Sequence, residues 1–338
     1  MLLMEPVIAK AKQNPRHIVL PEGTEERTIR AAAAAVQQGI ARTTLIGKEQ
    51  KIRAAADELG VDLEGVGIID PELSPDFPSL AGRYFEMRKS KGISPDEAAR
   101  IMKNELYFAT MLVKAGLADG MVAGAVTATS DVLRPGLQII KMAENVSVVS
   151  CCFIENVINK TYGDDGRLIF ADTSLNPNPT AEQLAAIAIA SAATAKDLFG
   201  MEPRVAMLSF STKGSGKHEF VDKVVRATEL VRQMAPNLVV DGELQADAAL
   251  VESVGRRKCP DSPVAGKANV LVFPDLQSAN IGQKLVQWLG EAETVGPISQ
   301  GFALPINDLP RGCNAGDIVN IIAITAVQAL KESHQAEK

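Results

Sequence analysis

The chain has 338 residues, 46% hydrophobic and 22% charged, with a net charge of −6. A chain of this length and balance is expected to be a soluble globular protein of two domains, burying roughly three quarters of its unfolded surface. The acidic balance excludes the basic face that a general nucleic-acid binder carries.

Residues 1–12 have helical spacing and no basic segment before a long apolar core, so they do not read as a signal peptide. Residues 17–20 (HIVL) form a short apolar strand ending at Pro21, Glu22 and Gly23. A helix over 25–38, a strand over 43–46, a helix over 49–59 and a strand over 66–69 follow. This strand–helix alternation predicts a parallel α/β sheet with crossover helices. Residues 79–91 and 95–115 read as a helical block, and 120–122 as a strand. Further strands are expected at 146–154, 168–170, 205–210, 238–240 and 270–273, with a long Ala-rich helix at 181–198. Residues 296–320 (GPISQGFALPINDLPRGCNAGDIVN) read as an ordered loop, because Pro and Gly at this density mark turns. A helix over 318–330 closes the chain. No flexible linker, repeat or low-complexity segment separates these elements, so two domains packed around a cleft are expected.

No apolar run approaches the 18 or so residues that span a bilayer. Cys151, Cys152, Cys259 and Cys313 show no CxxC spacing, which suits a reducing compartment. His17, His218 and His334 are far apart in sequence, which argues against a zinc site. A cytoplasmic protein without membrane, metal or nucleic-acid partners is expected.

Three loops carry candidate chemistry. Residues 124–134 (GAVTATSDVLR) follow a strand and open a helix, so Thr127, Thr129 and Ser130 add hydroxyls to a generic anion cradle. The alternative is an N-cap, with Ser130 or Asp131 capping the helix. Residues 211–219 (STKGSGKHE) fail as a Walker A loop, because Ser211 and His218 stand at the required Gly and Ser/Thr positions. They fail as GxGxxG because Glu219 occupies the third Gly position, and no G-x-S-x-G elbow occurs in the chain. Residues 307–317 gather Asn307, Asp308, Arg311, Cys313, Asn314 and Asp317 on a constrained loop beside a helix start.

These strings resemble the phosphate acetyltransferase (phosphotransacetylase) family over residues 19–330. Its P-x-N-D-L-S-R-G loop followed by Asp is similar to Pro305, Asn307, Asp308, Leu309, Arg311, Gly312 and Asp317, with Pro310 where the family has Ser. Its A-D-G-x-V-x-G-A…T…V-L-R-P, R-K-x-K-G and S-F-S-T-K-G-S strings are matched around 119–135, 88–92 and 209–215. Two other positions depart: Gln283 stands where members often have Tyr, and Trp288 where they commonly have Arg. A core or interface position, or stacking on an adenine, would suit Trp288.

The resemblance implies two three-layer α/β/α domains of the isocitrate/isopropylmalate dehydrogenase kind with an active-site cleft between them. The first domain would comprise 1–144 plus 305–338, and the second 145–304 and the contact of a homodimer. It implies reversible acetyl transfer between coenzyme A (CoA) and phosphate, with acetyl-CoA, phosphate and acetyl phosphate as the small-molecule partners and no permanently bound cofactor. It places Arg88 and Arg134 at CoA, and Thr127, Thr129, Ser130, Asn307, Pro310 and Cys313 at the substrates. Ser211, Thr212 and Gly214 would lie near the phosphate. A thiol of pKa near 8.5 is only a few per cent thiolate at pH 7 and gains from a base, the role given to Asp317. A helix start lowers a carboxylate's pKa, so burial must offset it for that role. Arg311 presents a planar fork to phosphate and the developing charge; its structural alternative is an ion pair with Asp308 or Asp317. No His lies near Cys313 in sequence to activate it, so direct transfer in a ternary complex is expected. Phosphate butyryltransferase, a non-catalytic sensor of CoA esters and a metal-dependent hydroxyacid dehydrogenase are the alternatives, the last lacking its cluster of acidic ligands.

Overall fold

The structure, a computed structural model, describes residues 3–144 and 146–336. The expected first helix therefore begins partly outside the described residues, at Met1 and Leu2. Contacts divide the chain into two compact units, Met1–Ala143 with Phe302–Lys338, and Glu144–Gly301.

The first unit opens with α1 (Glu5–Gln13), β1 (Arg16–Leu20), α2 (Glu26–Gln37), β2 (Ala41–Ile46), α3 (Glu49–Leu59) and β3 (Gly67–Ile69). It continues through α4 (Phe77–Arg88), α5 (Pro95–Met102), α6 (Glu105–Lys114), β4 (Gly120–Ala123) and α7 (Thr129–Pro135). The expected helix over 95–115 is broken at Asn104, whose side chain accepts the Leu106 and Tyr107 N–H groups and so starts a new helix.

The second unit holds β5 (Ser150–Asn156), β6 (Arg167–Ala171), α8 (Ala181–Phe199), β7 (Arg204–Leu208), α9 (Glu219–Met234) and β8 (Val239–Leu244). Then come α10 (Ala246–Leu250), α11 (Glu252–Lys258), β9 (Val270–Val272), α12 (Leu276–Leu289) and β10 (Glu293–Gln300). The chain returns to the first unit as β11 (Ile306–Asp308) and α13 (Ala315–Ala336).

Residues 296–320 are therefore not one loop. They hold half of β10, all of β11 and the first turns of α13, which starts three residues before the expected 318. Pro297 is tolerated because β10 is the edge of its sheet and pairs only with β5, where the register shifts between Val295 and Ile298.

The first sheet runs β11-β4-β1-β2-β3 and is parallel throughout. From β1 the chain moves outward through β2 and β3, then crosses to β4 and β11 on the other side. The crevice at the carboxyl ends of β1 and β4 is thus the topological switch point, where open α/β sheets bind ligands. Helix α13 buries Ile318, Ile321, Ile322 and Ile324 and packs on α2, whose Ala31, Ala32 and Ala35 permit close approach.

The second sheet runs β10-β5-β6-β9-β7-β8. The four strands from β6 to β8 are parallel, but β5 lies antiparallel to both its neighbours. The sheet is mixed rather than parallel. Among the described residues no helix is long and apolar enough to cross a membrane.

Candidate active site

At the switch point of the first sheet, three loops are tied together by three side chains, of which Asp308 was a candidate from the sequence but Glu22 and Arg27 were not. Glu22 follows β1 directly and is nearly buried. Its Oε2 accepts the N–H groups of Gly124 (2.9 Å) and Ala125 (2.8 Å), and its Oε1 those of Val126 (3.1 Å) and Thr127 (2.8 Å). The backbone donors expected to cradle a ligand anion are held by the protein's own carboxylate. Arg27 gathers the other loops: its guanidinium donates to the carbonyls of Ala125, Arg311 and Cys313, each at 2.8 Å, and to Glu25 Oε1 at 2.7 Å. Carbonyls from two loops thus converge on one planar fork.

The third member is Asp308, the last residue of β11. Its Oδ2 accepts the Thr129 hydroxyl at 2.6 Å, while Oδ1 is buried without a hydrogen bond of ordinary geometry. Burial pushes this carboxyl up to about 6, against the pull of Thr129 and the Leu309 N–H, and the Glu22 charge adds to the rise. Gly124 is required at this contact. Its φ is +119°, and a Cβ there would lie 2.4 Å from Asp308 Oδ1.

Neither Ser130 nor Asp131 caps α7. The N-cap is Ala128, whose methyl side chain can accept no bond, and Ser130 and Asp131 lie inside the helix; Thr129, the first helical residue, is turned to Asp308. Ser130 is exposed and its hydroxyl has no partner among the described residues. Asn307 is fully buried and donates to Thr325 Oγ1 (2.8 Å) and Gln328 Oε1 (2.7 Å), fastening β11 to α13; its amide is spent in the core rather than offered to a ligand.

Arg311 is exposed and forms no side-chain hydrogen bond or ion pair among the described residues, so the ion pair with Asp308 or Asp317 is absent. Pro310 is exposed beside it, and its carbonyl accepts the Cys313 N–H at 2.9 Å. Burial pushes the Cys313 thiol up to about 11, opposed by the Arg27 charge, which leaves it a poor nucleophile near neutrality. Asp317 is half-buried in a capping box: its Oδ2 accepts the Asn314 N–H (2.9 Å) while Asn314 Oδ1 accepts its N–H (3.0 Å).

The charges of Arg88 and Arg134 both act on one phenol. The Tyr107 hydroxyl is raised by burial and opposed by the charges of Arg134 and Arg88. Arg88 is half-buried, and its Nε finds no hydrogen-bond partner. Arg134 is exposed and paired with Asp131 at 3.1 Å. Gln138 accepts from both Tyr84 and Tyr107, which stack edge to face.

In the second unit the 211–216 loop follows β7. Glu243 Oε1 accepts the Ser211 hydroxyl (2.8 Å) and the Gly214 N–H (2.7 Å). Thr212 Oγ1 accepts the Gln245 N–H at 2.9 Å, and Lys213 is pinned to Asp241 at 2.5 Å. Ser211 and Thr212 are buried, so the groups expected at phosphate are engaged within their own unit. A cavity of about 550 Å³ opens at the carboxyl ends of β7 and β9, lined by Leu208, Phe210, Phe220, Phe273, Lys223 and Ser278 among others.

The family model described as phosphate acetyl/butaryl transferase matches residues 2–326. This chain belongs to that family. It is 53% identical over 329 residues to the phosphate acetyltransferase of Thermoanaerobacterium thermosaccharolyticum, covering 97% of this chain and 100% of that one. A phosphotransacetylase structure from Streptococcus pyogenes matches with a TM-score of 0.92 at 45% identity, covering 97% of this chain and 98% of that one. A 4-hydroxythreonine-4-phosphate dehydrogenase from Burkholderia phymatum shares the fold alone, at a TM-score of 0.52 and 15% identity over 93% of this chain and 98% of that one. The dehydrogenase-like architecture expected from the sequence is borne out.

Within the family frame, the positions that depart from its pattern have distinct surroundings. Gln283 is buried on α12 and donates to Glu155 Oε1 at 3.1 Å. Trp288 is 74% exposed, which rules out a core role. It shares one face of α12 with Ile281, Leu285 and Leu289, all exposed.

Two residues missed in the sequence had readable signals. Glu22 interrupts the turn at the end of an apolar strand. Arg27 sits in the first turn of α2, where a cation opposes the helix dipole and so calls for a long-range partner.

Proposed function

We propose that this chain is a phosphate acetyltransferase that transfers an acetyl group reversibly between CoA and inorganic phosphate. The observation that carries this reading is near-full-length similarity, at 53% identity, to a protein of that name. The switch-point loops support it, because they leave the Arg311 guanidinium exposed and unpaired among the described residues, with the Ser130 hydroxyl likewise free at the start of α7. Arg311 binds the phosphate and the charge that develops as the acyl group moves. Asp317 accepts the thiol proton through Oδ1, which has no hydrogen bond among the described residues. Arg88 and Arg134, whose charges both act on Tyr107, bind the phosphates of CoA. The thiol of CoA attacks acetyl phosphate directly, since the elevated Cys313 thiol is unsuited to an acyl-enzyme.

A homodimer is part of the proposal. The apolar stripe of Ile281, Leu285, Trp288 and Leu289 on the second unit supports a second copy as its cover. Light scattering that finds only monomer at micromolar concentration would remove this part.

The deciding experiment measures CoA release from acetyl-, propionyl- and butyryl-CoA with phosphate as acceptor. The acetyl donor is expected to be fastest. A preference for butyryl-CoA would make the chain a phosphate butyryltransferase, and CoA binding without release would make it a sensor, which the Pro at position 310 allows.

A further inference from the structure

Asp308 is a titratable group that the reaction just described leaves without a task. It is 2% exposed, and an ionised carboxylate whose buried Oδ1 has no hydrogen bond of ordinary geometry, only the pull of the Leu309 N–H, is costly to keep. The cost falls if the group carries a proton. A neutral carboxyl needs no charge compensation, its bare oxygen becomes an ordinary carbonyl, and its O–H gives a donor to Thr129 Oγ1 across the observed 2.6 Å. A hydroxyl that accepts from Asp308 has its own proton free to point elsewhere.

We propose that Asp308 is a positioning residue that takes up a proton when a tetrahedral oxyanion binds beside Thr129, turning the Thr129 hydroxyl from a donor to Asp308 into a donor to the anion. The proposal rests on the functional reading above, in which Thr129 lies at the substrate. No covalent bond changes. One proton moves from solvent to Asp308 Oδ2, and the Thr129 proton rotates from Oδ2 toward the ligand.

The direction follows from charge. In the free protein burial already lifts the carboxyl to about 6, so it is mostly ionised at pH 7 and poised to change. A bound anion raises it further, as a like charge does to any neighbouring acid. The titratable and charged groups on the elements that adjoin Asp308 are Glu22 and Glu25 on the loop after β1, Arg27 in the first turn of α2, Asp131 and Arg134 paired on α7, and Arg311, the neutral Cys313 thiol and Asp317 beyond β11. Of these, Glu22 pushes it upward, in the same sense as the ligand.

Sulfate is the probe, because it stays a dianion from pH 6 to 8.5 and its own titration does not intrude. Its affinity for the wild type, measured by calorimetry, is expected to rise about three- to tenfold between pH 8 and pH 6, with proton uptake visible on changing the buffer's heat of ionisation. Asp308→Asn keeps a donor to Thr129 but cannot titrate, so it should bind sulfate at pH 8 about as well as the wild type does at pH 6. Thr129→Val should weaken binding and flatten the pH dependence while leaving Asp308 in place.

A wild-type slope retained in either variant overturns the proposal, as does a wild type that binds no sulfate. If Asp308→Asn does not fold, Thr129→Val carries the test alone. The functional reading fails separately: a protein that shows this linkage yet releases no CoA keeps the inference and loses the activity. One that turns over with pH-independent sulfate binding does the reverse.

Discussion

Each unit holds a small-residue loop after a parallel strand, and in each the loop is fastened by a buried glutamate, but the two fastenings differ. Glu22 uses both oxygens to accept four backbone N–H groups, whereas Glu243 uses Oε1 alone, for one hydroxyl and one N–H. In the second unit Lys213 is pinned to Asp241. Beside the first unit's loop, Arg311 and Ser130 stay unpaired. A loop rich in N–H and hydroxyl groups is thus not by itself a ligand site. The second loop keeps the exposed Lys217 ammonium without a partner among the described residues; what marks the first is a free guanidinium, a planar fork suited to phosphate, together with a free hydroxyl next to a backbone already fixed.

The largest expected effect tests that free charge. Arg311→Ala should lower kcat by about 10²–10³ with the melting temperature unchanged, because the side chain supports no internal contact. Near-full kcat, or loss of the fold, would show that Arg311 serves the structure instead. Pro310→Ser introduces the hydroxyl of the P-x-N-D-L-S-R-G string that this loop resembles, where Pro supplies neither hydroxyl nor N–H. It should raise kcat at least about tenfold with little change in the KM for CoA. A Ser variant no faster than the wild type would mean that Arg311 and its neighbours already stabilise the oxyanion.

The two glutamates can be compared directly. Glu22→Gln points an amide NH₂ at two N–H donors and should cost about 2–4 kcal/mol of stability. Glu243→Gln keeps an acceptor oxygen for both its donors and should cost about 1 kcal/mol or less. Equal losses in denaturant melts would show that the count of accepted N–H groups does not govern the fastening.

The smallest effect concerns Glu155 on β5, fully buried and pushed up to about 7 by burial against the bonds from Thr294 and Gln283. Unfolded, it titrates near 4.5. The folded chain therefore binds the extra proton between those values, and this residue's contribution to stability falls as pH rises from about 4.5 to 7. Glu155→Gln should raise stability by about 1–2 kcal/mol at pH 8 and by little at pH 5. A gain or loss independent of pH would show that the carboxyl does not titrate in this range.

The alternation of β1, α2, β2, α3 and β3 was legible because each element is short, apolar on its inner face and bounded by Gly or Pro; only boundaries moved, by at most two residues. β10 was not, because Gly296 and Pro297 carry a turn signal that only an edge position makes compatible with a strand. The family, and with it the fold, followed from several ordered strings along the chain, and Arg311 from one of them. Which groups at those strings are free was settled by folding. Asn307, one residue before Asp308 in the same motif, faces α13, because successive strand residues point to opposite faces. Glu22, Arg27 and Asp308 bind groups 102 to 286 residues away in sequence, where three parallel strands end at a single crevice. A sequence fixes which residues stand at a strand end, but their partners depend on strand order, and strand order is set by packing.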